Sequence, residues 1–272
     1  MNLALLTARP IKAVSFFLDP KASTHPRQRS SALSVFRALT ADIWIDIVLF
    51  FMTMKTLAYR YLPKALINEL RHRKHLRDLA TAVEPEEAEV RRIVHTDDNV
   101  LDIGANFGVF TKLFSQLVGP NGSVIAFEPV PQTFRTLVAG IERYHRNNVR
   151  AINKAVSDHV GTVLMAVPQY KESDGENLYE ARIINSPESP KAFSIGAVTI
   201  DSLQLPRVDF MKIDVEGHEL EVLHGSRQTL DRHHPPLMVE VTSSRTIDFL
   251  CKEMGYRQPV TISPSNQLFI HG

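Results

Sequence analysis

The sequence predicts an α/β fold built on a mainly parallel sheet, and three stretches predict it. Residues 100–103 are a short aliphatic run carrying Asp102, followed by a glycine turn at 104–108 and then by a helical apolar pattern. Residues 123–128 repeat the strand pattern and close on Glu128. Residues 208–214 repeat it again and close on Asp214. Buried parallel strands read in this way, and acids at their carboxyl ends face a common crevice.

Composition narrows the class. With 272 residues there is room for one large or two small domains, and the apolar fraction of 44% is that of a globular protein. A net charge of +1 and a pI near 7.9 give no global field for nucleic acid, and no aromatic-interleaved basic motif is present. Nucleic acid is therefore not expected as a partner. Cys251 is the single cysteine, so an internal disulfide is impossible, and without a C-x-x-C pair no zinc site is expected. This usage suits a reducing cytoplasm. Residues 1–20 lack a basic stretch before their short apolar run, so no signal peptide is expected.

Residues 24–34 are polar and read as a loop. Residues 43–62 are rich in Ile, Val, Leu, Phe and Met but contain Asp46, Lys55 and Arg60, and the basic run 71–77 follows. Charges at those positions argue against a membrane span of about 20 residues. The stretch reads as an amphipathic helix on the core or on a partner, with contact between a membrane surface and residues 43–77 as the alternative; in that case the protein is peripheral at an inner membrane face. Residues 1–82 are accordingly expected as an N-terminal helical region and 83–272 as the main domain.

Pro85 opens a helix to about Val94 whose first turn carries Glu86, Glu87 and Glu89, as the helix dipole favours. After the first strand, Gly104 and Gly108 permit a tight turn and close approach of a ligand to the backbone. Phe110, Leu113, Phe114, Leu117 and Val118 then form one helix face, stopped by Gly119-Pro120. The spacing is D-x-G-x-x-x-G rather than the G-x-G-x-x-G of a dinucleotide pyrophosphate site. Asp102 would repel a pyrophosphate and suits a cationic ligand such as the amino-acid end of S-adenosylmethionine.

Glu128 lies 20 residues after Gly108, where a Rossmann crevice binds ribose hydroxyls through a carboxylate. Pro131 opens the next helix, with Phe134, Leu137, Val138 and Ile141 on one face. A third strand is expected over 149–156, ending at Ser157-Asp158. Asp158 would accept from an adenine amino group or else cap the turn through Gly161. Residues 162–167 read as a returning strand. The loop 169–193 lacks periodicity and is assigned to substrate contact, with Asn177, Tyr179 and Arg182 as candidates.

Residues 198–203 read as a short strand or bridge, and the fourth core strand runs to Asp214. At its exit Asp214, Glu216, His218 and Glu219 face the switch point of the sheet. A helix is expected from Glu219 to about Leu230, a fifth strand over 237–241 and a helix over 246–254 closed by Gly255. Residues 257–262 and 267–271 form a terminal hairpin that adds an antiparallel strand.

With these residues in place, the chain resembles the FkbM family of S-adenosylmethionine-dependent methyltransferases. The matching pieces are Glu84-Pro85, the LDIGANFG run at 101–108, VIAFEP at 124–129, KAVSD at 154–158, MKIDVEGHE at 211–219 and VLHG at 222–225. The resemblance implies a Rossmann-like, doubly wound, seven-stranded sheet and S-adenosylmethionine as cofactor. The cofactor would lie against Asp102, Gly104, Ala105, Asn106, Phe107, Gly108, Glu128, Pro129, Ala155, Asp158 and Asp214. It implies methyl transfer to an oxygen of a small-molecule acceptor, a glycan or other metabolite. The first 80 or so residues lie outside the resemblance.

A sulfonium is an activated methyl donor, so the protein has chiefly to align the acceptor. A hydroxyl acceptor also needs a base within hydrogen-bond reach. Glu216 and His218 are the candidates, with Asp214 beside them; His218 is attractive for its near-neutral pKa. Carboxylates at this turn could instead hold a divalent cation, but no further ligand cluster is legible, so no metal is expected. Two other classes compete: a membrane-associated scaffold with an inactive methyltransferase-like domain, and a nicotinamide oxidoreductase, which lacks its glycine motif.

Overall fold

The computed structural model describes residues 63–168, 177–184, 186 and 192–272, and a compact unit spans Tyr59–Gly272. The expectations for 43–62, and for the loop residues 169–176 and 187–191, lie outside the described residues. Among the described residues no helix is long and apolar enough to cross a membrane.

The first described helix, α1 (Lys64–Asp78), packs against α4 (Pro131–Arg143), with His72 Nδ1 standing 2.8 Å from Thr136 Oγ1. Just beyond it, Lys112 Nζ donates to the Leu79 carbonyl at 2.7 Å. The sequence reading grouped α1 with a separate region ending at residue 82; the structure joins it to the main unit. Part of the basic run is a solvated face, where Arg73 and Lys74 pair with Glu69 and Asp78 one turn away.

The main sheet has seven strands in the order β10-β11-β9-β8-β1-β2-β3. They are β1 (Asn99–Ile103), β2 (Ser123–Phe127), β3 (Val149–Ile152), β8 (Phe210–Ile213), β9 (Leu237–Glu240), β10 (Val260–Thr261) and β11 (Asn266–Phe269). The five from β3 to β9 are parallel, and β11 and β10 form the antiparallel terminal hairpin. From β1 the chain winds outward through β2 and β3, then crosses back to β8. The switch point therefore lies between β1 and β8, next to the glycine turn.

Helices cover both faces because the strand residues pointing to each face are apolar. Val100, Val124, Phe210 and Met238 pack under α2 (Glu87–Ile93) and α3 (Val109–Val118), through Val90, Leu113, Phe114 and Val118. Leu101, Ile103, Met211 and Ile213 pack on the other face against Val222, Leu223, Leu230 and Phe249.

Three elements differ from expectation; the short strand or bridge expected over 198–203 is only the end of a strand at Val198 followed by a 3₁₀ turn at Asp201–Leu203. The strand expected over 149–156 divides: β3 stops at Ile152, and β4 (Ala155–Val156) leaves for a second, four-stranded sheet ordered β4-β7-β5-β6. Its other members are β5 (Gly161–Ala166), β6 (Arg182–Ile184) and β7 (Ala192–Val198), so part of the expected loop is strand. The helix expected from Glu219 to Leu230 also divides, into α5 (Glu219–His224) and α6 (Arg227–His233). A Cβ on Gly225 would fall 2.0 Å from the Ser157 carbonyl oxygen, so the chain presses on that turn where only glycine fits. Asp201 then caps α6, accepting from the amides of Gln228 and Thr229 at 3.0 and 2.9 Å and from Thr229 Oγ1 at 2.7 Å.

The α3 face of the sheet also buries charge. Asp102 and Lys212 are register neighbours on β1 and β8, at 0% and 2% side-chain exposure. Lys212 Nζ stands 4.0 Å from Asp102 Oδ1, donates to Asp214 Oδ2 at 2.9 Å and lies 5.1 Å from the Phe110 ring centroid. Thr111 Oγ1 of α3 donates to Asp102 Oδ2 at 2.5 Å. Burial alone would neutralise Lys212, but the charges of Asp214 and Asp102 outweigh it and raise its pKa. An ammonium held this way is a fixed structural charge.

Two stability predictions follow from these contacts. Asp201→Ala removes the α6 cap and is expected to cost about 1–2 kcal/mol in urea unfolding. Lys212→Met leaves Asp102 buried without its counter-charge, at a cost of about 3–5 kcal/mol. Adding Asp102→Asn to that variant is expected to recover part of the loss; no recovery would show that the pair is not the source.

Candidate active site

The turn after β1 is built from left-handed backbone. Gly104, Asn106 and Gly108 have φ of 81°, 50° and 93°, so two of the three positions fall to glycine. A Cβ on Gly104 would lie 1.7 Å from the Asp214 carbonyl oxygen, which fixes the closeness of β1 and β8 at the switch point. The amides of Gly104 and Ala105 both donate to the Phe127 carbonyl, at 3.0 and 2.9 Å. Glu128 closes the loop from the other side: its Oε2 accepts from the Asn106 amide at 3.0 Å and its Oε1 from the Val130 amide at 2.8 Å. Burial pushes the Glu128 carboxyl up to about 7 against the pull of those two bonds.

Beyond this loop lies a cavity of about 550 Å³, within the range of small-molecule sites. Of the residues singled out in the sequence, Gly104, Ala105, Asn106, Phe107, Glu128, Pro129, Ala155, Asp214 and Glu216 line it. Asp102 and Gly108 stand behind the wall. Asp102 holds α3 through Thr111, and a Cβ on Gly108 would meet Leu137 Cδ1 at 2.7 Å. Both shape the loop without facing the cavity.

His218 and Asp158 are not on the wall either. The His218 ring turns to Ser157, with Nε2 and Oγ 2.9 Å apart, and burial lowers its pKa. Asp158 accepts from His159 Nδ1 at 2.7 Å and from Ser157 Oγ at 3.1 Å, and the His159 bond holds its carboxyl low. Glu219, buried, accepts from the Gly217 amide and from Thr242 Oγ1 and so fixes the start of α5. Among the loop candidates, Asn177 is buried and Arg182 exposed; neither lines the cavity, whereas their neighbours Leu178, Ala181 and Ile183 do. Tyr179 belongs to the 3₁₀ turn Leu178–Glu180.

Glu240 was given no role by the sequence reading, yet it lines the cavity at the end of β9. One carboxylate oxygen from each of Asp214, Glu216 and Glu240 lies within 4.8 Å of the others. Burial and then the charge of Asp214 push Glu240 up to about 8, and the same two causes raise Glu216. Asp214 stays low: burial opposes its ionisation, and the Lys212 ammonium outweighs burial. A partial signal for Glu240 stood in the sequence, since β2 and β8 are each followed by an acid, Glu128 and Asp214; that it meets Asp214 and Asn266 is set by strand register.

Outside the expected residues, α1 supplies one wall with Lys74, His75 and Asp78. The His75 ring stacks on Phe107 with centroids 3.7 Å apart and planes 10° from parallel. Burial lowers the His75 pKa, consistent with a ring held between apolar surfaces.

These residues fit S-adenosylmethionine on observations within the structure. Asn106 presents a buried side-chain oxygen with no partner in the loop. Each Glu128 oxygen has accepted one backbone bond and retains a lone pair for a ribose hydroxyl. Bound here, the cofactor supplies an electrophilic methyl group.

A profile of the FkbM methyltransferase domain matches residues 102–258 of the 272. The hexuronic acid methyltransferase AglP of Haloferax volcanii is 31% identical over 143 residues, covering 49% of this chain and 52% of that protein. The 31-O-demethyl-FK506 methyltransferase FkbM of Streptomyces tacrolimicus is 47% identical over 64 residues, 24% of each chain. The crystal structure of a methyltransferase FkbM from Methylobacillus flagellatus aligns with a TM-score of 0.47 at 18% identity, over 84% of this chain and 60% of that one. The matches to AglP and to two fungal methyltransferases span 52% to 64% of those curated relatives' lengths. With more than half of its length matched by the domain profile, the chain belongs to the FkbM family of S-adenosylmethionine-dependent methyltransferases.

Proposed function

We propose that this protein transfers the methyl group of S-adenosylmethionine to a hydroxyl oxygen of a sugar or another small metabolite. The observation that carries the reading is the position of Glu216, a partly exposed carboxylate on the same cavity wall as the glycine loop. The names of two relatives, one acting on a hexuronic acid and one on a 31-O-demethyl product, support an oxygen acceptor.

In the reaction the acceptor oxygen forms a bond to the methyl carbon as the sulfur–methyl bond breaks, and the hydroxyl proton leaves to a base. Glu216 is that base. Its φ of 54° and the 94° of Gly217 swing the chain out of β8 so that the side chain faces the cavity and not the sheet. Asp214 is held by Lys212, and His218 is turned to Ser157, which leaves Glu216 as the free proton acceptor of the three. Glu128 and the loop amides hold the cofactor end, while α1 and the small sheet enclose the acceptor end and exclude water.

Calorimetric titration with S-adenosylmethionine is expected to give one site per chain, weakened at least tenfold by Glu128→Ala. The charges that face Glu128 are Asp102, which raises its pKa, and Lys212, which lowers it. Ribose hydroxyls donate to the ionised carboxylate, so affinity should fall as pH drops through about 7, and Glu128→Gln should remove that dependence. A folded wild type that binds no S-adenosylmethionine would overturn the reading. In an acceptor screen with labelled methyl donor, Glu216→Gln is expected to lower kcat by roughly 10²-fold or more with cofactor affinity unchanged. Unchanged turnover would remove Glu216 from its role.

A further inference from the structure

The acceptor side of the cavity contains a row of oxygen donors that the methyl-transfer reading leaves unexplained. In the sheet register, Met238 pairs with Lys212, so Glu240 stands next to Asp214 at the carboxyl ends of β9 and β8. Across the antiparallel pair, Asn266 of β11 is the direct partner of Glu240. Residues directly opposite in adjacent strands project from the same face. Asp214, Glu240 and Asn266 therefore form one row on the α3 side of the sheet, all three on the cavity wall, and Glu216 closes it from the turn after β8.

Two observations separate this row from an ordinary acidic patch. One is convergence: an oxygen from each of the three carboxylates lies within 4.8 Å of the others. Oxygens on opposite sides of a single hard cation, each about 2.1–2.5 Å from it, stand about 4–5 Å apart. The other observation is independent of the acids. Asn266 is 9% exposed and donates its amide Nδ2 to Glu86 Oε1 at 2.8 Å, which directs its Oδ1 away from Glu86. That Oδ1 is buried and has no partner. A neutral carbonyl oxygen gains nothing from an ionised carboxylate, because both are acceptors; a cation at this position would satisfy it together with the carboxylates. Glu240 Oε2 is likewise buried without a partner.

We infer that Asp214, Glu240 and the Asn266 side-chain oxygen hold a hard divalent cation of the Mg²⁺, Mn²⁺ or Ca²⁺ class, with Glu216 on its acceptor side. The donor set is all oxygen, which selects this class over zinc or copper. Lys212 does not fill the position. Its single ammonium pairs directly with Asp102 and Asp214 and reaches Glu240 only through its charge, so Glu240 keeps a raised pKa and bonds Asp214 through its proton, the proton a cation would displace. The inference rests on the proposed methyl transfer to a hydroxyl for its purpose. A cation there draws electron density from an acceptor hydroxyl, eases loss of its proton to Glu216 and orients acceptors with two neighbouring oxygens. It departs from the sequence-based expectation of no metal, which did not include Glu240 or Asn266.

The test uses the full chain, stripped with EDTA and titrated with Mn²⁺ while free Mn²⁺ is followed by electron paramagnetic resonance. One Mn²⁺ per chain is expected, displaced by excess Mg²⁺ or Ca²⁺, and Glu240→Gln is expected to weaken binding at least tenfold. Thermal unfolding of the wild type alone supplies a second readout, with the midpoint rising on addition of Mn²⁺ and returning with EDTA. S-adenosylmethionine titration of the same samples keeps the two readings apart. Normal cofactor binding with no saturable Mn²⁺ site, or Mn²⁺ binding untouched by Glu240→Gln, overturns the cation site and leaves the methyltransferase reading standing. Mn²⁺ binding without S-adenosylmethionine binding overturns the methyltransferase reading and retains the site.

Discussion

The structure depends on one buried charge. Lys212 is the fully enclosed cation at the switch point of the sheet, and acids at the ends of three parallel strands are arranged around it. Burial raises the Asp102 pKa, and the Lys212 charge and the Thr111 hydrogen bond pull against it without cancelling it. With Lys212 across the register and Thr111 donating from α3, the carboxylate serves to lock that helix to β1. The same ammonium holds Asp214 ionised, and the Asp214 carbonyl in turn presses on Gly104. Strand pairing, the glycine turn and the start of α3 thus share one electrostatic centre. A cofactor loop in this position must be narrow, and the glycines follow from that.

Much of this was legible in the chain because it is local. Strands β1, β2 and β8 announce themselves as aliphatic runs with an acid at or just past the end, and the turn after β1 needs glycine for backbone reasons that any sequence must obey. The β10–β11 hairpin was legible from two apolar runs around Ser263-Pro264-Ser265-Asn266. What failed was partnership over distance. Residues 149–156 look like one strand, and nothing in their periodicity says that Ala155 and Val156 pair with β7 in another sheet. Gly225 gives no hint in sequence that a turn 68 residues earlier, at Ser157, lies against it and breaks the helix.

The site shows the same division. Gly104, Asn106 and Glu128 were readable because they belong to one loop and the strand beside it. Glu240 and Asn266 were not, since their meeting is a property of register between β9 and β11 and not of either strand. His218 misled for the opposite reason. A histidine next to two acids at a crevice reads as a base, but the left-handed turn at Glu216-Gly217 faces the first of these outward and leaves the histidine to bond Ser157.

The matched segment divides the residues of the cavity in two. The cofactor loop, Glu128, Asp214, Glu216 and Glu240 all fall inside the matched segment 102–258. The α1 residues that wall the cavity, Lys74, His75 and Asp78, precede it, and Ser265 and Asn266 follow it. The strand ends at Asp102 and Asp214 are held by the buried Lys212 pairings. Residues of the cavity outside that segment come from α1, which packs on α4, and from β11, which pairs with β9 and buries Phe269 in the core. The matched segment therefore carries the proposed cofactor side of the cavity, while the wall from α1 and the Asn266 side lie outside it.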